Sequence, residues 1–450
     1  MTVRKNATRT VAVVSLGCPK NQVDAEMMAG LLAEGGYRLV SAQDEADAII
    51  VNTCGFIDAA KEESIQAILA AAQYKQNRCR AVVITGCLGQ RYKQELLDEL
   101  PEVDAIIGTG EFPQICSLLD RALGGERLVA VGDPQPPTLD GLPRQLISSV
   151  ATAYLKIADG CDNRCAYCKI PDIRGSFRSR PLASVVREAE RLVRGGVREL
   201  VVVAQDTTRY GEDLGPVGNA PRLPDLLRAL AGLPLLRWIR IMYMYPTRIS
   251  DELLDLMASE PKICKYFDIP LQHVTNRMLK AMNRRGDRQS IYDLIDRIRT
   301  RVPDASLRTA FIVGFPGETA RDFNELLNSL SDLAFDNAGV FTYSVEEGTP
   351  AATRPGQVSQ RVKEQRFHRA MSRQQEIALS RRERWIGREI DILVEGRDEA
   401  GLAVGRGEMD APEVDGAVHV QSEAVPGTFI RVLIERAEPY DLYGREVSPQ

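Results

Sequence analysis

Runs of apolar residues alternate with amphipathic stretches over the first 125 residues of this 450-residue chain. Short β-branched runs predict strands, and apolar positions at helical spacing between them predict helices. Strands separated by helices pair in parallel, so this segment predicts an open parallel α/β sheet. The predicted strands are 11–16, 48–52, 81–85 and 105–108, and the predicted helices are 23–33, 58–74, 90–100 and one that opens at Pro113.

A second region of strand and helix alternation covers residues 151–385. Residues 126–150 precede it and are rich in proline and glycine, which predicts an extended linker. About six strand–helix repeats predict an incomplete (β/α)6 barrel, whose chemistry should lie at the carboxyl ends of its strands. The predicted strands are 153–157, 199–204, 238–242, 267–270, 306–313 and 338–342, and the predicted helices are 182–194, 224–230, 251–259, 290–301 and 320–330.

The last region, residues 386–450, contains short alternating strands at 390–396, 403–405, 417–420 and 429–435. This spacing predicts a small antiparallel β-barrel. The chain as a whole is therefore predicted to be an α/β protein with three parts: residues 1–125, 151–385 and 386–450.

Composition is that of a soluble protein, with 44% hydrophobic and 26% charged residues. The polar first ten residues lack the apolar stretch of a signal peptide, and later apolar runs such as 200–204 are too short to cross a membrane. We therefore expect a cytoplasmic protein. Nine cysteines in a chain of this size do not form a disulfide scaffold, and in a reducing compartment clustered cysteines bind metal or do chemistry.

Three cysteines, Cys161, Cys165 and Cys168, lie within eight residues. A 4Fe-4S cluster usually takes four cysteines, so three thiolates leave one iron open for another ligand. Structural zinc is the alternative, but such sites close their tetrahedron with a fourth ligand, and none follows Cys168 nearby. The spacing resembles the cluster motif of the radical S-adenosylmethionine (SAM) superfamily.

Cys18, Cys54 and Cys87 each fall just past the carboxyl end of a predicted strand, where open α/β sheets collect ligands. We therefore expect these thiols to converge on one sheet edge and to hold a second cluster with an open iron. Each has a glycine neighbour, Gly17, Gly55 or Gly86, and glycine lets the backbone turn sharply and approach a ligand. By contrast, Cys79 precedes its strand and Cys116 lies inside a helix, so both are predicted to be core residues.

Nearly the whole chain resembles the methylthiotransferases of the radical SAM superfamily, and its last part resembles a TRAM domain. The motifs that carry the resemblance are LGCPKN at 16–21, NTCGFI at 52–57, TGCL at 85–88, the cysteine loop, IP at 170–171 and RGSFRSR at 174–180. The resemblance implies an auxiliary 4Fe-4S cluster on Cys18, Cys54 and Cys87, and a catalytic SAM-binding 4Fe-4S cluster on Cys161, Cys165 and Cys168. It also implies that the reduced cluster cleaves SAM to a 5′-deoxyadenosyl radical, that a second SAM supplies a methyl group, and that sulfur at the auxiliary cluster accepts it.

Other residues receive candidate roles from the same resemblance. Tyr167 is expected near the adenine of SAM, and Gly195-Gly196 near its methionine moiety, although a helix C-cap also explains the glycine pair. Gln205, with Asp206, ends a strand and is expected to bind the polar groups of SAM or to cap a turn. His273 is predicted to be a hydrogen-bonded loop residue, and residues 314–319 a strand-end turn, because they lack the ending of a phosphate-binding loop.

Members of this family differ in substrate: one type modifies adenosine in transfer RNA, and the other the β-carbon of an aspartate in the basic small-subunit ribosomal protein S-twelve. Residues 386–450 contain six arginines, no lysine and fourteen acidic residues, so their charge is near −8. Phosphate binding needs clustered positive charge, so the acidic module favours the basic protein substrate. Transfer RNA is the alternative substrate, and a metal-binding module without turnover is a third interpretation. The reductant, the sulfur donor, the oligomeric state and whether the substrate is free or on the ribosome stay open.

Overall fold

The computed structural model describes residues 9–135, 139–147, 151–216 and 218–447. The chain forms two compact units: residues 1–147, 158–180 and 344–349 make the first unit, and residues 148–157, 181–343 and 350–450 make the second. Some residues of the predicted N-terminal part, linker and C-terminal barrel lie outside the described residues. They are residues 1–8, 136–138, 148–150 and 448–450. Among the described helices, none is long and apolar enough to cross a membrane.

The strands and helices are numbered in chain order. The strands are β1 (Thr10–Ser15), β2 (Arg38–Leu39), β3 (Ala48–Thr53), β4 (Ala81–Gly86), β5 (Ala105–Ile107), β6 (Leu128–Ala130), β7 (Thr152–Lys156), β8 (Ala158–Asp159), β9 (Arg178–Ser179), β10 (Glu199–Val203), β11 (Trp238–Ile241), β12 (Tyr266–Asp268), β13 (Ser306–Val313), β14 (Asn337–Thr342), β15 (Glu389–Arg397), β16 (Ala403–Gly407), β17 (Val418–Gln421), β18 (Phe429–Ala437) and β19 (Leu442–Glu446). The α-helices are α1 (Pro19–Glu34), α2 (Asp58–Gln73), α3 (Cys87–Glu99), α4 (Ile115–Leu123), α5 (Ile170–Arg174), α6 (Leu182–Arg194), α7 (Leu223–Ala231), α8 (Asp251–Ser259), α9 (Asn276–Ala281), α10 (Arg288–Arg301), α11 (Ala320–Leu333) and α12 (Gln360–Glu383).

The first unit contains a six-stranded parallel sheet in the order β2-β1-β3-β4-β5-β6. Every residue of β3 and β4 is buried, as the continuous apolar runs of central parallel strands predict. The predicted parallel α/β sheet is therefore confirmed. Two short edge strands were not predicted, because β2 has two residues and β6 lies in the segment assigned to the linker.

Two helices of the first unit begin earlier than the apolar pattern indicates. Helix α1 begins at Pro19, with Cys18 as its N-cap, and α3 begins at Cys87 directly after Gly86. Proline fits the first turn of a helix because its missing N–H has no intrahelical partner there. The consequence is that two of the candidate cluster ligands lie at helix N-termini.

The second unit contains six parallel strands in two three-stranded sheets, β11-β10-β7 and β12-β13-β14. A parallel bridge between Ile239 and Ile263 lies beside β11, ahead of β12. The alternation of these strands with helices confirms the predicted incomplete barrel.

The C-terminal strands close into a five-stranded barrel in the order β15-β16-β17-β19-β18. Its core is formed by side chains including Ile392, Val418, Val420, Val432 and Leu442. Closure confirms the predicted small barrel, but the structure corrects one detail. Strands β17 and β19 are neighbours and pair in parallel. The strand between them in sequence, β18, does not lie between them in the barrel but pairs antiparallel with β15 and β19.

Buried ion pairs connect this C-terminal barrel to the amino ends of the second unit's parallel strands. Glu199, the first residue of β10, is fully buried and accepts hydrogen bonds from Arg240 and Arg406. Arg382 pairs with Asp410. The C-terminal barrel is therefore held at the end of these strands opposite to their carboxyl ends.

Candidate iron–sulfur sites

The structure brings Cys18, Cys54 and Cys87 together in the first unit. They follow β1, β3 and β4, which are neighbours in the sheet. The strands are in register at their carboxyl ends, where Ser15 pairs with Asn52 and Thr53 with Gly86. Three residues far apart in sequence therefore share one sheet edge, which is the convergence that the sequence predicts.

The three neighbouring glycines are in close contact with the cysteine loops. Gly17 has φ of +89°, and a Cβ placed on it would lie 2.8 Å from the Cβ of Cys54. A Cβ on Gly55 would lie 3.0 Å from the carbonyl carbon of Cys87. Gly86 also has φ of +89°, and its Cβ would approach the carbonyl oxygen of Thr53 to 2.6 Å. The loops are therefore packed against each other with no room for side chains at these positions.

Two asparagines fix these loops by hydrogen bonds that the sequence reasoning did not assign. The Asn21 amide donates to the carbonyls of Leu16 and Thr53 at 2.8 and 2.9 Å. The Asn52 amide donates to the carbonyl of Asn21 at 2.7 Å. Both asparagines belong to the motifs that also contain the cysteines, and buried amides between two loops are the signal that indicates a fixed ligand scaffold.

The thiols of this trio differ in their pKa values. Burial, together with the nearby Cys87 and Cys18 as like charges, raises the pKa of the Cys54 thiol to about 12. Burial also raises the pKa of Cys87, although Arg174 opposes it. Burial acts in the same direction on Cys18, but Lys20, Arg174 and backbone N–H groups outweigh it and lower the pKa of that thiol. The N-terminal turn of α1 therefore favours the thiolate form that binds iron.

Arg174, the last residue of α5, lies beside the trio and is buried. Its guanidinium donates to Asp24 at 2.6 Å and to Asp159 at 3.1 Å, and to the side-chain oxygen of Asn21 at 2.7 Å. It also lies 3.5 Å from the Cys87 sulfur, as a hydrogen-bond donor. Burial disfavours the charge of Arg174, but Cys87, Asp24 and Asp159 together raise the pKa of the guanidinium, so it stays protonated.

Cys161, Cys165 and Cys168 lie in a loop framed by the antiparallel ribbon of β8 and β9. Gly160 has φ of +77°, and a Cβ there would lie 2.1 Å from the Ser176 carbonyl oxygen, so only glycine fits. The Cys161 N–H donates to the carbonyl of Gly175, and the Cys168 N–H to that of Cys165. All three cysteines are partly exposed. Backbone hydrogen bonds within the loop and to the segment that follows α5 therefore help to fix the three cysteines.

Both trios offer soft thiolate donors, three to a site, which is the donor set of a 4Fe-4S cluster with one open iron. Among the described residues, no three Cys, His, Asp or Glu side chains are assembled for a single metal ion. Three cysteines in each trio match the donor set of the 4Fe-4S clusters that the resemblance implies.

Cys79 and Cys116 lie apart from these sites. Cys79 is buried before β4 and contacts the Ala81 carbonyl at 3.3 Å. Cys116 lies in α4, with its sulfur 3.3 Å from the Leu31 carbonyl. Cys79 is therefore a core residue of the first unit as predicted, whereas Cys116 is only partly buried.

Gly195-Gly196 lie apart from Gln205, another SAM-binding candidate next to β10. The pair forms the C-terminal cap of α6, where Gly195 N–H bonds the carbonyl of Arg191 and Gly196 N–H that of Val193. The cap precedes the amino end of β10, whereas Gln205 follows its carboxyl end. The five residues of β10 separate the two by roughly 16 Å, so the structure does not bring them together. The helix C-cap, which also explains the glycine pair, is therefore present in the structure.

The other candidates lie in loops after strands. Asp206 is buried and accepts from Arg248 at 3.0 Å. His273 is fully buried; its Nδ1 accepts from backbone N–H groups and its Nε2 faces Glu318, so it is a hydrogen-bonded loop residue as predicted. In the turn at 314–319, Glu318 accepts from the Gly314 N–H and from Arg366.

Two residues at strand ends of the second unit have a backbone conformation that the sequence did not predict. Tyr243 after β11 and Gln272 after β12 have φ of +60° and +70°. Non-glycine residues in this conformation are strained, and such strain is concentrated at ligand sites. No sequence pattern reports backbone strain in these residue types, so sequence reasoning had no signal for them.

Family models match three consecutive segments. Residues 10–108 match a model described as "Uncharacterized protein family UPF0004", residues 155–330 match the radical SAM superfamily, and residues 386–447 match the TRAM domain. Solved structures show the same fold at low identity. The radical S-adenosylmethionine methyltransferase TsrM from Kitasatospora setae aligns with a TM-score of 0.56 at 16% identity, over 77% of each chain. The cobalamin-dependent S-adenosylmethionine radical enzyme OxsB aligns with a TM-score of 0.52 at 13% identity, over 82% of this chain and 56% of OxsB.

Curated relatives match nearly the full length. The ribosomal protein uS12 methylthiotransferase RimO of Desulforamulus reducens is 50% identical over 441 residues, covering 97% of this chain and 99% of the relative. The protein of the same name from Geobacter sulfurreducens is 48% identical over 448 residues, covering 98% of this chain and 100% of the relative. The chain therefore belongs to the RimO family of radical SAM methylthiotransferases and is a sulfur-group transferase.

Proposed function

We propose that this chain transfers a methylthio group to the β-carbon of an aspartate in ribosomal protein uS12, the protein S-twelve of the small subunit. The observation that carries this proposal is the near-full-length identity, about half of all positions, to uS12 methylthiotransferases. The two cysteine trios support the same reaction, because one cluster can generate the radical while the other holds sulfur.

In this proposal Cys161, Cys165 and Cys168 hold the 4Fe-4S cluster that binds SAM, and Cys18, Cys54 and Cys87 hold the auxiliary 4Fe-4S cluster. When bound, the reduced cluster and SAM supply a radical that removes a hydrogen atom from the substrate carbon, and a second SAM supplies the methyl group. Tyr167 and Gln205 are retained as SAM-binding residues.

The protein's own contribution is to fix the sulfur ligands and to keep them in suitable surroundings. The cysteines of the loop at 161–168 are partly exposed, so a cluster held there would be accessible to SAM. The trio on the sheet is more deeply enclosed, because Cys87 is buried and Gly17 leaves no free space beside Cys54. Such enclosure would exclude water from a cluster held by these three cysteines.

The partners follow from this assignment. The substrate is uS12, which is basic, and the enzyme acts where ribosomal proteins are found, in the cytoplasm. The reaction also needs a one-electron reductant and a sulfide source, and transfer RNA is the competing substrate.

The proposal is tested by product mass spectrometry on reconstituted enzyme. Protein loaded with iron and sulfide is incubated with SAM, dithionite, sulfide and a uS12 peptide that contains the target aspartate. A variant peptide with asparagine at that position is the matched control. We expect a methylthio group on the aspartate peptide alone. Modification of transfer RNA in place of the peptide would contradict the proposed substrate, and failure of the loaded enzyme to cleave SAM would contradict the reaction.

A further inference from the structure

Arg174 connects the surroundings of the two cysteine trios within the first unit. Its side chain is only 3% exposed. One nitrogen pairs with Asp24 of α1 and with Asp159, which lies two residues before Cys161. The other nitrogen reaches Asn21 and the sulfur of Cys87. One guanidinium therefore contacts residues next to one trio and a ligand of the other.

These contacts exceed what a structural ion pair requires. Two carboxylates already offset the charge of a buried guanidinium. The second nitrogen is directed at a thiol, which is a weak acceptor as S–H but a strong one as an iron-bound thiolate. The same nitrogen donates to Asn21 at 2.7 Å and lies 3.5 Å from the Cys87 sulfur, so its hydrogen bond to that sulfur would strengthen if Cys87 bound iron.

We propose that Arg174 is a positioning residue for the auxiliary cluster, which it makes easier to reduce by donating a hydrogen bond to the Cys87 sulfur. Reduction adds one negative charge to the cluster, and hydrogen bonds to the ligand sulfurs together with a nearby cation stabilise that charge. In a buried site the effect is larger than in water because the surroundings screen it less. This inference rests on the proposed function, which places a cluster on Cys18, Cys54 and Cys87.

The test measures the reduction potential of the auxiliary cluster alone. The parent protein for this test is the variant Cys161→Ala/Cys165→Ala/Cys168→Ala, which removes the other cluster. Arg174→Gln and Arg174→Lys are made in that parent, and the potential is followed by visible absorption and electron paramagnetic resonance during redox titration. Iron and sulfide are quantified in every sample.

The matched control is Arg91→Gln. Arg91 is also buried in the first unit and lies beside the Cys54 loop, where it donates to the Gly55 carbonyl at 3.0 Å and to Glu346 at 2.7 Å. Arg91 is therefore a guanidinium of the same unit whose hydrogen bonds go to a carbonyl and a carboxylate and not to a cysteine sulfur.

We expect Arg174→Gln to lower the equilibrium constant for one-electron reduction by about tenfold, a shift of about 59 mV to more negative potential. Arg174→Lys keeps the charge and should shift the potential less in the same direction, and Arg91→Gln should leave it near the parental value. If Arg174→Gln does not retain a cluster, the reduction potentials of Arg174→Lys and Arg91→Gln are compared instead, and a more negative potential in Arg174→Lys supports the role of Arg174.

An unshifted potential, or an equal shift in the Arg91 variant, overturns the role of Arg174. Absence of any cluster in the parent overturns the proposed function and this role with it.

Discussion

The two cysteine trios are built in opposite ways. Cys161, Cys165 and Cys168 lie in one short loop whose backbone bonds itself, whereas Cys18, Cys54 and Cys87 come from three adjacent strands of one sheet. The three ligands of the loop are brought together by their closeness in sequence. The sheet trio exists only when three strands are in register and the glycines between them permit close contact. The loop trio can be predicted from the spacing of its cysteines in the sequence, whereas the sheet trio can be predicted only from the order of the strands.

The largest expected effect separates the two trios by function. Cys161→Ala should reduce SAM cleavage to background, because the cluster that binds SAM loses a ligand, while Cys54→Ala should retain measurable cleavage and lose methylthio transfer. Each variant should lose about four iron atoms per chain. Formation of 5′-deoxyadenosine and of the modified peptide are measured on the same samples.

Cys79→Ala is the matched control for this pair, because Cys79 is a buried cysteine of the first unit outside both trios. It should keep its iron and both activities. Equal loss of cleavage and transfer in the Cys161 and Cys54 variants would show that the trios do not divide the reaction between them.

This contrast also explains what sequence could predict. The 161–168 loop needed only its spacing, and the sheet trio needed correct strand ends, which β-branched runs mark well. The side-chain contacts around the two trios could not be predicted from sequence. Arg174, for example, pairs with Asp24, which lies in a helix 150 residues earlier in the chain.

A second expected effect tests whether the trios depend on the second unit. Arg406 pairs there with the fully buried Glu199. Arg406→Met leaves buried negative charge less compensated and should lower the free energy of unfolding of that unit by about 3–5 kcal/mol. Chemical denaturation followed by the fluorescence of Trp238 and Trp385 measures it. Iron content in native buffer should not change, and its loss there would show that the substitution disturbs the cysteine sites as well as the stability of the second unit.

The same pair predicts a dependence of stability on pH. Burial would raise the pKa of Glu199, but Arg406 and Arg240 lower it to about 2. A carboxyl group whose pKa is lower in the folded state stabilises the fold above its unfolded pKa, and this contribution is lost as pH falls from about 4.5 towards 2. The loss should reach about 3 kcal/mol and should be absent in Glu199→Gln. Equal acid sensitivity of both proteins in denaturation experiments would contradict this assignment.

A smaller effect tests the contact between the loops of the sheet trio. Gly17→Ala should lower the free energy of unfolding by about 1–3 kcal/mol and reduce auxiliary iron, because of its positive φ and the clash with Cys54. Gly36→Ala is the matched control: Gly36 has φ of +85° and no atom within 4 Å of an added Cβ. It should show the backbone cost alone and keep its iron. Equal iron content in both variants would show that the Gly17 contact does not fix the ligand.

The acidic C-terminal region requires a narrower interpretation than its composition suggests. Several of its carboxylates pair with arginines of the parallel strands and helices within the second unit. These pairs are Asp391 with Arg237, Asp410 with Arg382, and Asp415 with Arg308. Carboxylates that are paired with arginines attract a basic partner only weakly. The net charge near −8 of residues 386–450 therefore overstates the negative charge available on the surface of the barrel.

The smallest expected effect concerns the acidic groups that remain on the surface. Glu399 is exposed, and Glu423 is 97% exposed although it lies 3.5 Å from Arg397 of the same barrel, a surface pair that contributes little. If the C-terminal barrel guides uS12, Glu399→Gln/Glu423→Gln should raise KM for a basic uS12 peptide by about two- to fivefold at low salt and leave kcat unchanged, because exposed charges act mainly on association. The matched control, Glu62→Gln/Glu63→Gln on α2, makes the same change in net charge on exposed residues of the first unit. An equal rise in KM in both variants would show that the attraction depends on the total charge of the protein and not on the barrel. No rise in either variant would contradict the charge argument for a basic substrate.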